Sequence, residues 1–302
     1  MEEMQFKKTM SFTYGQPDPI APGIVRLVAK NPSPYTFKGT NTYVVGTSTL
    51  AVIDPGPNDE THLENILTLA AGRKISHLLI THAHRDHSDG AKTLSKRINA
   101  PIAAFGRDKI EQRVSPMERI RSALLVDYSF KPDIPLQHGE NIKSEDWELK
   151  ILHTPGHAPD HLCFALDKSR VLFTGDHVMA WNTTVVAPPE GRMSEYISSL
   201  ETLLERKDRL YLPGHGGRLE NPARTVKAYL VHRQWREQAI LAEIRRGSQC
   251  VSDILQKVYP NVEKEIQTAA RFSILAHVEY LAERNLITYQ PPLSLESHFF
   301  AA

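Results

Sequence analysis

Apolar positions divide the chain into two regimes: short strand-like runs up to about residue 215 and long helical periodicities after it. Ile24-Val25-Arg26-Leu27-Val28, Thr42-Tyr43-Val44-Val45 and Leu50-Ala51-Val52-Ile53 are β-branched or aromatic enough to predict strands, with Gly46 and Ser48 in a turn between the last two. Leu63, Ile66, Leu67 and Ala70 share one helical face, which predicts a helix over about 59–71. Ala91, Leu94 and Ile98 do the same over about 88–98. The apolar run His77-Leu78-Leu79-Ile80 lies between these helices, with His77 read as a satisfied structural group. Strands are expected again around Pro101–Phe105, Trp147–His153, Leu162–Leu166 and Val171–Phe173, so the pattern is one of sheets covered by helices.

The later regime starts at Asn221-Pro222, where proline suits the first turn of a helix. Val226, Tyr229, Leu230, Ile240, Leu241 and Ile244 recur at helical spacing across Thr225–Arg246, and Gly247-Ser248 ends the segment. A short helix over Val251–Tyr259 stops at Pro260, and a third, about Ile266–Arg284, carries Phe272, Leu275, Val278 and Leu281. Ile287-Thr288-Tyr289 reads as a strand.

Composition changes little. At 302 residues, 41% hydrophobic and 24% charged, the chain is long enough for one large unit and a small one, and ordinary for a globular protein. The acidic Met1-Glu2-Glu3-Met4 opening and the lack of a long apolar stretch predict neither a secretory signal nor a membrane span. Cys163 and Cys250, widely separated, offer no disulfide framework, and a cytoplasmic location is expected. No Gly-x-Gly-x-x-Gly follows the first strand, no Gly-x-Ser-x-Gly elbow occurs and no P-loop is present. Dinucleotide-binding, serine-hydrolase and ATP-dependent readings therefore lack their motifs.

The chemistry is concentrated in Thr81-His82-Ala83-His84-Arg85-Asp86-His87, directly after an apolar run. Imidazole nitrogen and carboxylate oxygen are donors for Zn²⁺ and similar divalent ions, and a strand end fixes the backbone that presents them. A zincin is excluded, because its His-Glu-x-x-His needs both histidines on one helical face. So short a loop cannot close two metal spheres alone. Three later segments offer further donors: Thr154-Pro155-Gly156-His157-Ala158-Pro159-Asp160-His161, Leu172-Phe173-Thr174-Gly175-Asp176-His177 and Tyr211-Leu212-Pro213-Gly214-His215-Gly216-Gly217. Each follows the same device, an apolar run or tight turn with glycine beside the donor.

The His-x-His-x-Asp-His run and its later partners resemble the signature of the metallo-beta-lactamase superfamily. The resemblance implies a four-layer αβ/βα sandwich with the metals in a crevice at the strand ends. It also assigns His82, His84 and His157 to one ion, Asp86, His87 and His215 to a second, and Asp176 to the bridge. Gly39-Thr40-Asn41-Thr42-Tyr43-Val44-Val45-Gly46 looks like the family's second strand, and Asp54 like its early aspartate, expected to orient a ligand histidine. His161, His177 and Trp181 are expected to support the ligands or line the pocket.

The helices after His215, with their short strand, resemble the small winged-helix domain of the beta-lactamase-like protein 2 group. The implied organisation is a catalytic domain over 1–220, a winged-helix-like domain over 221–290 and a tail over 291–302. Between Ala223 and Gln290 stand ten Lys or Arg against seven Asp or Glu, a weak basic excess for a duplex-binding module. Bracing the site or forming a homodimer is the alternative role for this part. Arg224, Lys227, Arg233, Arg236, Arg245 and Arg246 would carry any nucleic-acid contact, including that of a nucleic-acid-binding regulator.

Two adjacent divalent ions, with Zn²⁺ expected and Mn²⁺ or Fe²⁺ able to use the same donors, would acidify a shared water, hold the metal-bound hydroxide for attack and stabilise charge on a carbonyl or phosphoryl oxygen. Asp86 and Asp176 are the catalytic candidates, Asp86 as a group that orients the hydroxide. The beta-lactamase-like protein 2 resemblance implies an endoribonuclease acting on single-stranded RNA. Related enzymes hydrolyse carboxylic esters, thioesters or lactones, and the segment Trp181-Asn182-Thr183-Thr184-Val185-Val186-Ala187-Pro188-Pro189 suits a small acyl substrate. A net charge of only +1 favours no strong phosphate-backbone affinity. Asp176 and His215 are too close in sequence for a beta-CASP insertion, and no flavin domain is visible.

Overall fold

The computed structural model describes residues 6–106, 114, 115, 119 and 122–302. Seven strands form one sheet in sequence order: β1 (Asp18–Ala21), β2 (Ile24–Val28), β3 (Asn41–Val45), β4 (Thr49–Ile53), β5 (Lys74–Leu79), β6 (Ile102–Phe105) and β7 (Ile134–Leu136). β1 to β4 pair antiparallel and β4 to β7 parallel. Parallel neighbours require crossovers, and α1 (Glu60–Ala70) and α2 (Arg85–Ile98) supply two of them. A second sheet has the order β12-β11-β10-β9-β8, built from β8 (Asn141–Lys143), β9 (Glu148–His153), β10 (Leu162–Leu166), β11 (Val171–Gly175) and β12 (Leu210–Pro213). Only β11 and β12 are parallel in it, and α3 (Met193–Leu204) connects them.

Side chains alternate across each strand, so each sheet contributes to two cores. Tyr43, Ile53, Leu79, Phe164, Phe173 and Leu212 meet between the sheets. On the outer face of the first sheet, Val44, Val52 and Leu78 pack on Leu63 and Ile66 of α1 and on Leu94 of α2. On the outer face of the second, Cys163, Leu172 and Tyr211 pack on Tyr196 and Leu200 of α3. Both faces of both sheets are therefore covered, which is why central strands such as β4, β10 and β11 read as nearly unbroken apolar runs. The result is the four-layer αβ/βα sandwich expected from the sequence.

A helical region follows: α4 (Pro222–Arg245), α5 (Val251–Val258), α6 (Gln267–Glu283), then the antiparallel hairpin of β13 (Ile287–Tyr289) and β14 (Phe299–Ala301). Helices closed by a small hairpin are consistent with a winged-helix-like element. α4 belongs to two cores, since Val226 and Tyr229 pack with α3 while Ile240 and Ile244 pack with α5 and α6.

The structure differs from the sequence reading at several places, and α3, β1 and β8 have no counterpart in it. α2 begins at Arg85, three residues before the expected start, so Asp86 and His87 stand in its first turn, where a carboxylate meets the positive end of the helix. β14 lies within the span read as tail, and Phe299 is buried there. β7 was unread because Pro135 interrupts it; as an edge strand it tolerates the missing donor.

Candidate metal centre

The candidate ligands converge from both sheets. His82 and His84 follow β5, Asp86 and His87 open α2, His157 lies beyond β9, Asp176 ends β11 and His215 follows β12. Their donor atoms form three overlapping clusters among the described residues: His82, His84 and His157; His82, His87 and Asp176; Asp86, His87 and His215. His82 Nε2 lies 2.9 Å and His157 Nε2 3.1 Å from His84 Nδ1. His215 Nε2 lies 3.2 Å from His87 Nε2 and 3.2 Å from Asp86 Oδ2. Asp176 stands between the groups, with Oδ1 at 3.5 Å from His87 Nε2 and Oδ2 at 3.3 Å from His215 Nε2 and 3.8 Å from His157 Nε2. Nitrogens about 2.0–2.1 Å from one tetrahedral Zn²⁺ would be about 3.3 Å apart, so these separations fit a shared ion.

The outer nitrogens fix which lone pairs face inward. His157 Nδ1–H donates to Val185 O at 2.7 Å and His215 Nδ1–H to Gly39 O at 3.2 Å. His87 Nδ1–H donates to Asp54 Oδ2 at 2.9 Å. Thr81 gives its hydroxyl proton to Asp54 Oδ2 at 2.7 Å, so the ring N–H of His82 donates to Thr81 Oγ1 at 2.9 Å. Each contact turns Nε2 inward, the nitrogen that a neutral imidazole would offer to a metal. His84 instead presents Nδ1 inward, with its Nε2 3.8 Å from Glu190 Oε2.

Electrostatics divides the set. Burial, reinforced by neighbouring imidazoles, holds His82 well below the usual histidine range and His157 at about 4, which keeps both neutral. Burial also lowers His87 and His215, but the carboxylates of Asp86 and Asp176 outweigh it, raising His87 and taking His215 to about 9. Asp86 and Asp176 are raised by burial and lowered further by His87 and His215, so both remain ionised. Two carboxylates that hold His87 and His215 as cations match the donor chemistry of a divalent-ion site. Asp176 Oδ1 is buried without a hydrogen-bond partner, an acceptor that such an ion would satisfy. A Cβ at Gly214 would lie 2.6 Å from Asp176 Oδ1 and 2.6 Å from His87, so only glycine leaves room for this convergence.

The supporting candidates separate. Asp54 accepts from Thr81 N–H and lies 2.9 Å from His87 Nδ1. His161 donates from Nδ1 to Thr154 Oγ1 and accepts Asp176 N–H at Nε2, so it anchors a candidate ligand's backbone. His177 turns away from the centre onto the ring of Tyr196, its centroid 4.7 Å distant, and burial lowers it to about 3. Trp181 stacks on Phe37 with centroids 5.1 Å apart. His77 packs edge-on to Trp147 in β5, away from the ligands.

Several contributors were not read from the sequence. Asp160 Oδ2 accepts Ala83 N–H between the first two histidines, and Thr40 Oγ1 contacts Asp86 Oδ2 at 3.4 Å. Asp160 lies inside a motif already singled out, and Val185 inside the Trp181–Pro189 segment; Glu190 carries no local signal.

A family model for the metallo-beta-lactamase superfamily matches residues 35–215, and the chain belongs to that superfamily. It is 29% identical over 295 residues to a beta-lactamase-like protein 2 homolog of Drosophila melanogaster, covering 90% of this chain and 96% of that one. Among solved structures, a metallo-beta-lactamase family protein of Thermus thermophilus superposes with a TM-score of 0.74 at 22% identity, over 94% of this chain and all of that one. A beta-lactamase domain protein of Burkholderia ambifaria gives 0.79 at 19% identity, over 97% and 95% of the respective chains. Fold and candidate centre together make the chain a metal-dependent hydrolase with a pocket able to hold two ions. No helix among the described residues is long and apolar enough to cross a membrane.

Proposed function

We propose that the protein hydrolyses carboxylic esters or thioesters with an apolar acyl part, using two ions, Zn²⁺ in our reading. His82, His84 and His157 would hold one, Asp86, His87 and His215 the other, and Asp176 both. Such ions supply an acidified water and stabilise charge developing on the carbonyl oxygen. The protein's share is to keep the Nε2 lone pairs of His82, His87, His157 and His215 and the Nδ1 lone pair of His84 aimed inward, and to hold Asp86 beside the attacking water.

The single observation that carries the substrate class is the character of the open side. His82, His87 and His215 are buried, whereas Asp86 and His84 keep 29% and 20% of their side chains exposed, so substrate approaches over these two. Leu124 and Leu125 stand 88% and 66% exposed on the segment that bridges to His84 through Val126. Tyr35 is 45% exposed on the loop that leads through Phe37 to Thr40, the contact of Asp86. Exposed apolar side chains on the segments that join His84 and Thr40 favour an acyl chain over a phosphate backbone. Arg85, next to Asp86, is already paired with Asp89 at 3.1 Å.

The single-stranded RNA reading loses two of its six expected cations, because Arg233 is buried and Arg236 sits against the rings of Tyr259 and Trp235. The test is turnover of acyl thioesters and aryl esters of increasing chain length beside unstructured RNA. Longer acyl chains should raise kcat/KM, and the Leu124→Ser, Leu125→Ser double variant should raise KM roughly tenfold for the longest. Metal-dependent, salt-sensitive RNA cleavage with no ester or thioester turnover would overturn the reading.

A further inference from the structure

Helix α4 reaches the candidate centre through one segment, residues 179–185. Tyr229 Oη accepts Met179 N–H at 3.1 Å and lies within hydrogen-bond distance of Met179 O, at 2.7 Å, and of Asn182 O. Arg233 Nη2 donates to Thr184 O. The held segment touches two candidate ligands: Val185 O receives His157 Nδ1–H at 2.7 Å, and Thr184 Oγ1 donates to Asp176 O at 2.7 Å. Arg233 is 3% exposed and, among the described residues, has no carboxylate at ion-pair distance. Its guanidinium lies 5.1 Å from the ring of Tyr196, whose hydroxyl donates to His177 O, next to Asp176. A buried charge with no acid beside it is costly to keep, and here its donor is spent on a carbonyl of the segment that holds the centre.

We propose that Arg233 and Tyr229 are positioning residues of the metal centre, making the C-terminal helical region part of the machinery that aims His157. The inference rests on the reading of His157 and Asp176 as metal ligands. Losing either α4 contact frees the segment, weakens the Val185 bond and lets the His157 ring rotate away from its Nε2-inward orientation.

The experiment compares wild type with Arg233→Met, Arg233→Lys and Tyr229→Phe, each confirmed as folded by circular dichroism. Zn²⁺ is titrated against a chromophoric chelator, and the His157 Nδ1–H resonance is followed in ¹⁵N-histidine-labelled protein. Arg233→Met should weaken the ion at the His82, His84 and His157 set roughly ten- to hundredfold and broaden or shift that resonance. Arg233→Lys should recover part of both, and Tyr229→Phe, which keeps the packed ring, should show the same loss if Arg233→Met does not fold. Folded Tyr229→Phe and Arg233 variants with native affinity at both sites and a native resonance would overturn this inference alone. Wild-type protein that takes up none of Zn²⁺, Mn²⁺ and Fe²⁺ would overturn the ligand reading and this inference with it.

Discussion

Asp54 shows what one residue contributes. It holds φ at +51°, a left-handed conformation that aspartate tolerates better than most side chains, and its two oxygens serve Thr81 and His87 together. In the sequence it was singled out by resemblance to the superfamily's early aspartate; in the structure it follows the end of β4, beside the segment that carries His82. Behind it, Thr42 gives its hydroxyl proton to Asp54 O at 2.6 Å, so His62 Nε2–H must donate to Thr42 at 2.8 Å. Burial pushes His62 down to about 4 from the ordinary 6.5, with Asp59 opposing. The unfolded chain therefore binds this proton first as pH falls. His62 contributes fully above about pH 6.5 and loses its contribution on descent toward pH 4, a total of roughly 3 kcal/mol at most. Urea melts of metal-free wild type and His62→Gln between pH 4 and 7.5 should show a shallower decline in the variant. Equal slopes would show that His62 does not carry it.

At the scale of elements, legibility followed burial on two faces. The strands β11 and β12 before Asp176 and His215 are apolar along most of their length because both of their faces are covered, whereas in β5 only the closing Leu78-Leu79 was legible as part of a run. The start of α2 was not, because Arg85-Asp86-His87 has no apolar periodicity and its helical turn is set by the strand before it. β14 was missed for a related reason: three residues pair with a distant partner and only Phe299 turns inward. That side chain, 1% exposed, packs with Ile240, Ile274 and Leu281. Phe299→Ala should therefore cost about 3–5 kcal/mol in chemical denaturation, as expected for a large buried aromatic. A loss under about 1 kcal/mol would mean that the hairpin is not part of the C-terminal core.

Across the whole molecule, the candidate centre spans the seam between the sheets. The first sheet and α2 supply His82, His84, Asp86 and His87, and the second sheet supplies His157, Asp176 and His215. The candidate ligands were named from four short motifs, of which only the His-x-His-x-Asp-His run is distinctive alone; the resemblance to the superfamily joined the other three to it. The support from α4 was not, since Arg233 and Tyr229 look like ordinary members of a long helix until the fold brings residues 179–185 against them. The most direct test of the account is metal content together with anomalous diffraction on the reconstituted 302-residue chain. The account predicts two ions per chain, one among His82, His84 and His157 and one among Asp86, His87 and His215, with Asp176 reaching both. A single ion held by other residues, or none after reconstitution with Zn²⁺, Mn²⁺ or Fe²⁺, would contradict it.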